Sequence, residues 1–390
     1  MSENLKIDFS NALKVPEKYY QNIRSRLKKW DILIAVKWAT IASQKCICFV
    51  DEDISNCIVN WSVFRFQTID WVEPKYIAYY LNTEWAKKQM KFSLVANNAV
   101  DYLNKDMIEN LDIPLPSLEI QQQIVEKMDS ALDGKKNLEN KSDEILNSID
   151  DYVLSELWIE LTDEKEENNY FIVDIEDIKD WRIDAFYNKP EFKKIEKQFL
   201  KSNNVVELKD IIDYVKTWTT PDTKKEPFSN EWIPFLRNTN LQKNEIITDE
   251  LKYIKNEYKN TITYSEKDDI LICIAWTIGV SSVNDFWKIA INQNVSSLKI
   301  KQWISPYFIS YLLNTAIFSE FFDRVSSVAT IKYINNDNLL SIKIPLPSIE
   351  IQDKIANEVK SRIEKAKQLK NQATEIYEQA KNEVEKMILE

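Results

Sequence analysis

The chain has 390 residues, a net charge of −11 and no histidine. That length predicts two or three domains, and the lack of histidine excludes a histidine general base, a Ser-His-Asp triad and any histidine metal ligand. With only Gly134 and Gly279 as glycines there is no P-loop and no dinucleotide-binding fingerprint.

In chain order, residues 1–30 read as polar and partly helical. Asp31–Val36, Lys45–Asp51, Cys57–Val59 and Val63–Phe66 read as strands. Cys46 and Cys48 alternate along one of them and are expected on one side of it, as reduced thiols like Cys57 and Cys273. Pro74–Leu94 carries apolar residues at helical spacing, and the stretch through Leu111 reads as strand or turn. Pro116-Ser117 opens a long helix: Ser117 is a good N-cap and Glu119 suits the first turn. Gly134 is a point where that helix can break or kink. Residues 162–180 are acidic and polar and read as a linker.

Beyond the linker, helices are predicted at Pro190–Ser202 and Ser305–Arg324, and strands at Ile246–Ile247, Asp269–Ala275 and Ser297–Ile300. From Ser348 an apolar seam through Ile351, Ile355, Val359, Ile363 and Ala366 continues to Met387. It predicts a rod of about 60 Å, at 1.5 Å per residue, paired antiparallel with the central helix. No apolar run reaches the roughly 18–20 residues that span a bilayer. The first twenty residues lack a basic start followed by an apolar stretch. A cytoplasmic protein with no membrane partner is expected.

The chain repeats itself. Ile113–Gln121 (IPLPSLEIQ) returns as Ile344–Gln352 (IPLPSIEIQ), with eight of nine positions identical. Asp31–Ile34 (DILI) returns as Asp269–Ile272, Pro74–Thr83 aligns with Pro306–Thr315, and Tyr102–Asn104 aligns with Tyr333–Asn335. Ordered matches of this kind signal a duplicated globule-plus-helix unit. The acid is concentrated in 113–180, while 1–112 and 181–343 are each close to neutral. A local basic face on either globule therefore remains compatible with nucleic acid. The predicted division is 1–112 first globule, 113–160 central helix, 161–180 acidic linker, 181–343 second globule and 344–390 terminal helix.

Tryptophan is in excess where glycine belongs. About 7% glycine is usual, which predicts roughly 27; the chain has two, against twelve tryptophans. Trp30, Trp38, Trp61, Trp71, Trp218, Trp232, Trp276, Trp287 and Trp303 fall in turn-like contexts where positive φ is wanted. Trp158 and Trp181 are further cases, and Trp85 reads as genuine. A UGA codon that means glycine, translated as tryptophan, produces this pattern. The competing reading is an aromatic surface for stacking on bases.

These features resemble a Type I restriction-modification DNA specificity subunit. The resemblance rests on the repeated IPLPS(L/I)EIQ entry into a long helix. It extends to DILI followed by Trp276-Thr277-Ile278-Gly279, to Trp232–Arg237 (like GIPFLR) and to Trp181–Ala185 (like GRLDA). It implies an α+β fold: two β-rich target-recognition domains separated by two long antiparallel, coiled-coil-like helices. It further implies a non-catalytic subunit with no cofactor of its own. Each domain would read one half of a split site in double-stranded DNA, and the helices would dock two methyltransferase subunits. A restriction (motor) subunit is a further partner where the system has one. Counterparts of Thr217–Pro221 and Ile233–Asn240 are missing from the first globule, which is therefore expected to be incomplete at its N-terminus. Base readout needs amides, guanidinium groups and hydroxyls in loops. That selects Thr217, Thr219, Thr220, Arg237, Asn238, Asn240, Lys332 and Tyr333 in the second globule, and Asn97, Asn98 and Tyr102 in the first; each also reads as ordinary turn chemistry. Two alternatives stay open: a truncated, dimerising scaffold with partial or no recognition, and a nuclease using Asp249, Glu257 and Lys259.

Overall fold

The computed structural model describes residues 5–389 apart from 8, 10–11, 21–25, 38–45, 53, 55–56, 61, 97–101, 161–169, 179–182, 203, 218–227, 230, 232, 250 and 327–331. The chain divides into two compact units, residues 1–142 with 367–390, and residues 143–366. Among the described residues no helix is long and apolar enough to cross a membrane.

In the first unit β1 (Ile32–Ala35) lies between β2 (Ile47–Phe49) and β3 (Val63–Phe66), both antiparallel to it. Apolar β1 is buried on both faces. Ile32 and Ile34 pack in the main core with Tyr76 and Tyr80, and Leu33 packs on the other face with Leu27, Cys48 and Val50. Cys46 belongs to the main core. The two cysteines therefore do not share a side, because the strand begins only at Ile47 and its alternation does not reach Cys46. Residues 57–59 form a single bridge, Arg26 to Ile58, rather than a strand.

The helix expected over Pro74–Leu94 is two helices, α1 (Pro74–Leu81) and α2 (Glu84–Ala96). They part because Asn82 caps the first and the Thr83 hydroxyl accepts the Ala86 N–H of the second. The tail before Leu111 holds a short helix, α3 (Lys105–Glu109), capped by the Asn104 side chain. Then α4 (Leu118–Glu156) begins after Ser117, whose hydroxyl accepts the Ile120 N–H. Gly134 does not interrupt α4. A Cβ there would lie 3.9 Å from Ile376, so the glycine sits against the partner helix.

The second unit contains α5 (Pro190–Ser202), β4 (Asn204–Glu207) and two larger sheets. The first has the order β13 (Ser281–Val283), β12 (Ile270–Cys273), β15 (Val295–Ile300), β5 (Ile212–Lys216). The second has the order β11 (Tyr264–Glu266), β14 (Lys288–Ile291), β7 (Ile233–Leu236), β10 (Lys252–Ile254), β6 (Phe228–Ser229). A small hairpin joins β8 (Leu241–Gln242) to β9 (Glu245–Ile246). The stretch Ser305–Arg324 is again two helices, α6 (Pro306–Leu313) and α7 (Ala316–Val325), parted at Asn314-Thr315. They are followed by α8 (Asn336–Leu340), β16 (Lys343–Leu346) and α9 (Ile349–Leu389).

Each unit's core takes in a segment of both long helices. Ile124, Met128, Tyr377, Ala380 and Val384 belong to the first core, and Ile149, Val153, Ile355 and Val359 to the second. Within each unit the segments pair antiparallel. Lys127 meets Glu383 and Gly134 meets Ile376 in the first unit. In the second, Arg362 donates to Ser148 O and Oγ at 3.0 Å, and Lys354 pairs with Glu156 at 2.7 Å.

A buried aspartate opens the central strand of each unit. Asp31 accepts the Lys28 N–H at 2.7 Å and pairs with Arg65 at 3.0 Å. Asp269 accepts the Glu266 N–H at 3.0 Å and the Ser297 hydroxyl at 2.8 Å. The two turns match bond for bond, since Trp30 N donates to Val50 O as Asp268 N donates to Asn284 O. Both residues take positive φ, 70° at Trp30 and 66° at Asp268.

Candidate nucleic-acid interface

In the second unit strand register gathers several loops at one end of the two sheets. β7 ends in a tight turn, Asn238–Asn240. Asn240 is buried, and its Oδ1 accepts the Arg237 N–H at 3.3 Å and Arg237 Nε at 3.4 Å. That contact orients the guanidinium through its inner nitrogen. No carboxylate pairs with Arg237 among the described residues, so its outer nitrogens are available for bidentate hydrogen bonding.

The turn Asn292–Asn294 links the two sheets at this same end. Asn292 N donates to Leu236 O at 3.1 Å, and Ile274 N donates to Asn294 O at 2.9 Å. Next to it, Ala275 bridges Tyr333, and Ile334 N donates to Ile274 O at 2.9 Å. The loop Ala275–Gly279 presents Trp276 and Thr277 to solvent, with Trp276 at φ 68°. Tyr333 is exposed beside it. Lys216 lies opposite Ser297, so Thr217 leaves β5 beside the start of β15, at this same end. Thr217 is exposed.

Of the residues selected from sequence, Thr217, Arg237, Asn238, Asn240 and Tyr333 come together here, with Lys332 next to Tyr333. Lys332 is held by an exposed pair with Asp323 at 2.9 Å, a contact of little energetic weight. Thr219 and Thr220 lie outside the described residues. In the first unit Tyr102 is exposed and bridges Lys37, and Leu103 N donates to Val36 O at 2.9 Å, which reproduces the Tyr333 arrangement. Asn97 and Asn98 lie outside the described residues. Sequence reading passed over Asn292-Gln293-Asn294. Its signal is three consecutive amides between two apolar strands, the side-chain type suited to base edges.

Burial raises the Cys273 thiol pKa. Burial and the Asp269 charge together push the Tyr214 hydroxyl well above its ordinary value. No group of histidine, cysteine, aspartate or glutamate that could hold a metal occurs among the described residues.

The profile of the Type I restriction modification DNA specificity domain matches residues 8–148 and 201–386. The chain belongs to this family. Family membership makes it a DNA-recognition subunit and not a catalyst, and its α+β fold is the family's. The putative type I restriction enzyme MjaX specificity subunit of Methanocaldococcus jannaschii is 27% identical over 329 residues, covering 82% of this chain and 68% of that one. The MjaVIII specificity subunit of the same organism is 25% identical over 313 residues, covering 78% and 67%. A solved chain from work on complex assembly and conformational transition of the type I R-M system shares the fold. Its TM-score is 0.52 at 16% identity, over 93% of this chain and 81% of that one.

Proposed function

We propose that each unit reads one half of a split site in double-stranded DNA, and that α4 and α9 dock two methyltransferase subunits, with a restriction subunit joining where the system has one. The observation that carries this reading is the gathering of Thr217, Arg237–Asn240, Ala275–Thr277 and Tyr333 at one end of the second unit. There a guanidinium with no acidic partner among the described residues is held by a buried amide. Arg237 reads guanine through its outer nitrogens, as a planar fork matches O6 and N7. The test is selection from random duplexes by the assembled complex. Arg237→Lys, which keeps charge but loses the fork, is expected to cost about 1–3 kcal/mol of discrimination at one base pair. An unchanged selection profile would refute that role.

A second reading, a dimerising scaffold with partial or no recognition, is favoured by an asymmetry between the units. Asn314 Oδ1 accepts the Ser281 N–H at 3.0 Å, whereas Oδ1 of the matching Asn82 is buried with no hydrogen-bond partner among the described residues. The five-stranded sheet of the second unit also has no counterpart among the described residues of the first. Methylation of a site carrying only one specific half, or of none, would select this second reading.

A further inference from the structure

Two turns in different units are built by the same hydrogen bonds. In the second unit Asn294 N donates to Asn292 Oδ1 at 3.2 Å, Val295 N donates to Asn292 O at 3.1 Å, and Ile274 N donates to Asn294 O at 2.9 Å. In the first unit Ser62 N donates to Asn60 Oδ1 at 3.0 Å, Val63 N donates to Asn60 O at 3.2 Å, and Val36 N donates to Ser62 O at 3.1 Å. The leading asparagine folds the turn in both, an Asx turn that mimics backbone geometry. What differs is the sequence that follows the leading asparagine: Gln293-Asn294 in one unit, Trp61-Ser62 in the other. Gln293 stands exposed at the tip, in the same loop cluster as Arg237 and Tyr333.

We propose that Gln293, with Asn294 beside it, is a specificity-determining element that reads an A·T pair in the half-site of the second unit. A scaffold held constant while its presented residues change is what two units reading different sequences require. A glutamine amide offers one donor and one acceptor together, the pattern that matches adenine N6 and N7. Asn292 is a positioning residue: its side chain is spent on the turn itself. This assignment rests on the reading of the chain as a half-site recogniser.

The experiment is selection of randomised duplexes by the full chain assembled with its methyltransferase subunits, comparing wild type with Gln293→Glu and Gln293→Ala. Gln293→Glu, which can only accept, is expected to lose preference for adenine at one position by about tenfold or more. The other half-site and assembly should be unchanged, and Gln293→Ala should relax the same position. Preference unchanged at every position overturns the assignment. So does an equal loss on all sequences with a weaker salt dependence, the signature of a phosphate contact. A wild-type complex that selects no sequence overturns the recognition reading and this assignment with it.

A different observation carries a second inference. Three described tryptophans take left-handed backbone: Trp30 at φ 70°, Trp158 at 52° and Trp276 at 68°. This conformation is costly for a bulky residue. At Trp30 the twin turn uses Asp268, a residue type that tolerates it. At Trp158 the backbone closes α4 with Ile159 N to Leu154 O at 2.9 Å and Trp158 N to Ser155 O at 3.0 Å. That is the Schellman pattern, whose left-handed position is usually glycine. None of the seven described tryptophans is buried, and the least exposed, Trp85, still shows 44%. Tryptophan is ordinarily among the most covered residues on average. Trp71, Trp85, Trp287 and Trp303 have ordinary φ and make no demand for glycine; Trp38, Trp61, Trp181, Trp218 and Trp232 lie outside the described residues.

We infer that positions 30, 158 and 276 are glycine in the protein as its own cell makes it. Mass spectrometry of peptides spanning these positions in protein from the source cell should find glycine; tryptophan there overturns the inference. As a second reading, the chain with Trp30→Gly, Trp158→Gly and Trp276→Gly should melt at a higher temperature than the chain as written, and a lower melting temperature counts against it.

Discussion

Gln121 and Gln352 make the same two hydrogen bonds in different units. Gln121 accepts the Glu73 N–H at 2.9 Å and donates to Pro116 O at 2.9 Å. Gln352 accepts the Ser305 N–H at 3.0 Å and donates to Pro347 O at 2.9 Å. Each is the last residue of the repeated nonapeptide, and each ties the start of a long helix to the N-cap of α1 or α6. Both are buried. Gln352→Leu would strand the Ser305 N–H and the Pro347 carbonyl. The expected loss is about 1–3 kcal/mol per stranded group, read by urea denaturation, with Gln121→Leu acting additively on the other unit.

Gly279→Ala should be severely destabilising. Gly279 has φ 86°, and a Cβ there would run into the Phe322 ring, itself buried in the core of the second unit. Backbone strain and overpacking each cost about 1–3 kcal/mol. Phe322→Leu in the same chain should recover part of the overpacking and none of the strain. Thermal melts of the single and double variants would separate the two.

Acid should weaken the second unit through Glu196. Burial by itself would raise the pKa of this carboxyl, but hydrogen bonds from Arg324 at 2.8 Å and Lys343 at 3.0 Å prevail, and the net shift is downward. A carboxyl depressed in the folded state stabilises fully above its unfolded pKa, about 4.3. That stabilisation is lost as pH falls through the lower folded value. Wild type should therefore exceed Glu196→Gln in melting temperature near neutrality. The gap should close below about pH 4; a gap independent of pH would show that charge is not the cause.

Arg362 on α9 tests the helix pairing within the second unit. Its guanidinium donates to Ser148 on α4 and lies 4.4 Å from the centre of the Tyr152 ring. Arg362→Lys loses the planar fork and the stacking, and should cost about 1 kcal/mol. Arg362→Ala should cost more, since its packing over the ring is lost too. Denaturation midpoints of both variants give the comparison.

Much of this fold was legible because duplicated motifs reveal themselves by comparison. Ser117 opens α4, α5 spans Pro190–Ser202 and β3 spans Val63–Phe66, as capping and alternation predict. The repeated Ile-Pro-Leu-Pro shows where such reading stops. In the second unit Lys343–Leu346 is a strand because it pairs with Asn204–Glu207, far away in sequence; in the first unit 113–116 has no described partner and is not a strand. A strand is a property of a pair, and one sequence window holds half of it. The loop cluster was legible only in pieces for the same reason. Arg237 and Tyr333 stand out singly, but the Asn292–Asn294 turn, bonded to Leu236 on one side and Ile274 on the other, gains its meaning from register.

The left-handed residue at position 30 sits just before β1, the central strand of the first unit. If UGA encodes it, a bacterium that reads UGA as stop would release the chain there, before a single strand of either sheet system had been made. Type I specificity could then pass by gene transfer only to cells in which UGA is a sense codon. Neighbours with the standard code could neither adopt this specificity subunit nor acquire from this gene its pattern of methyl marks.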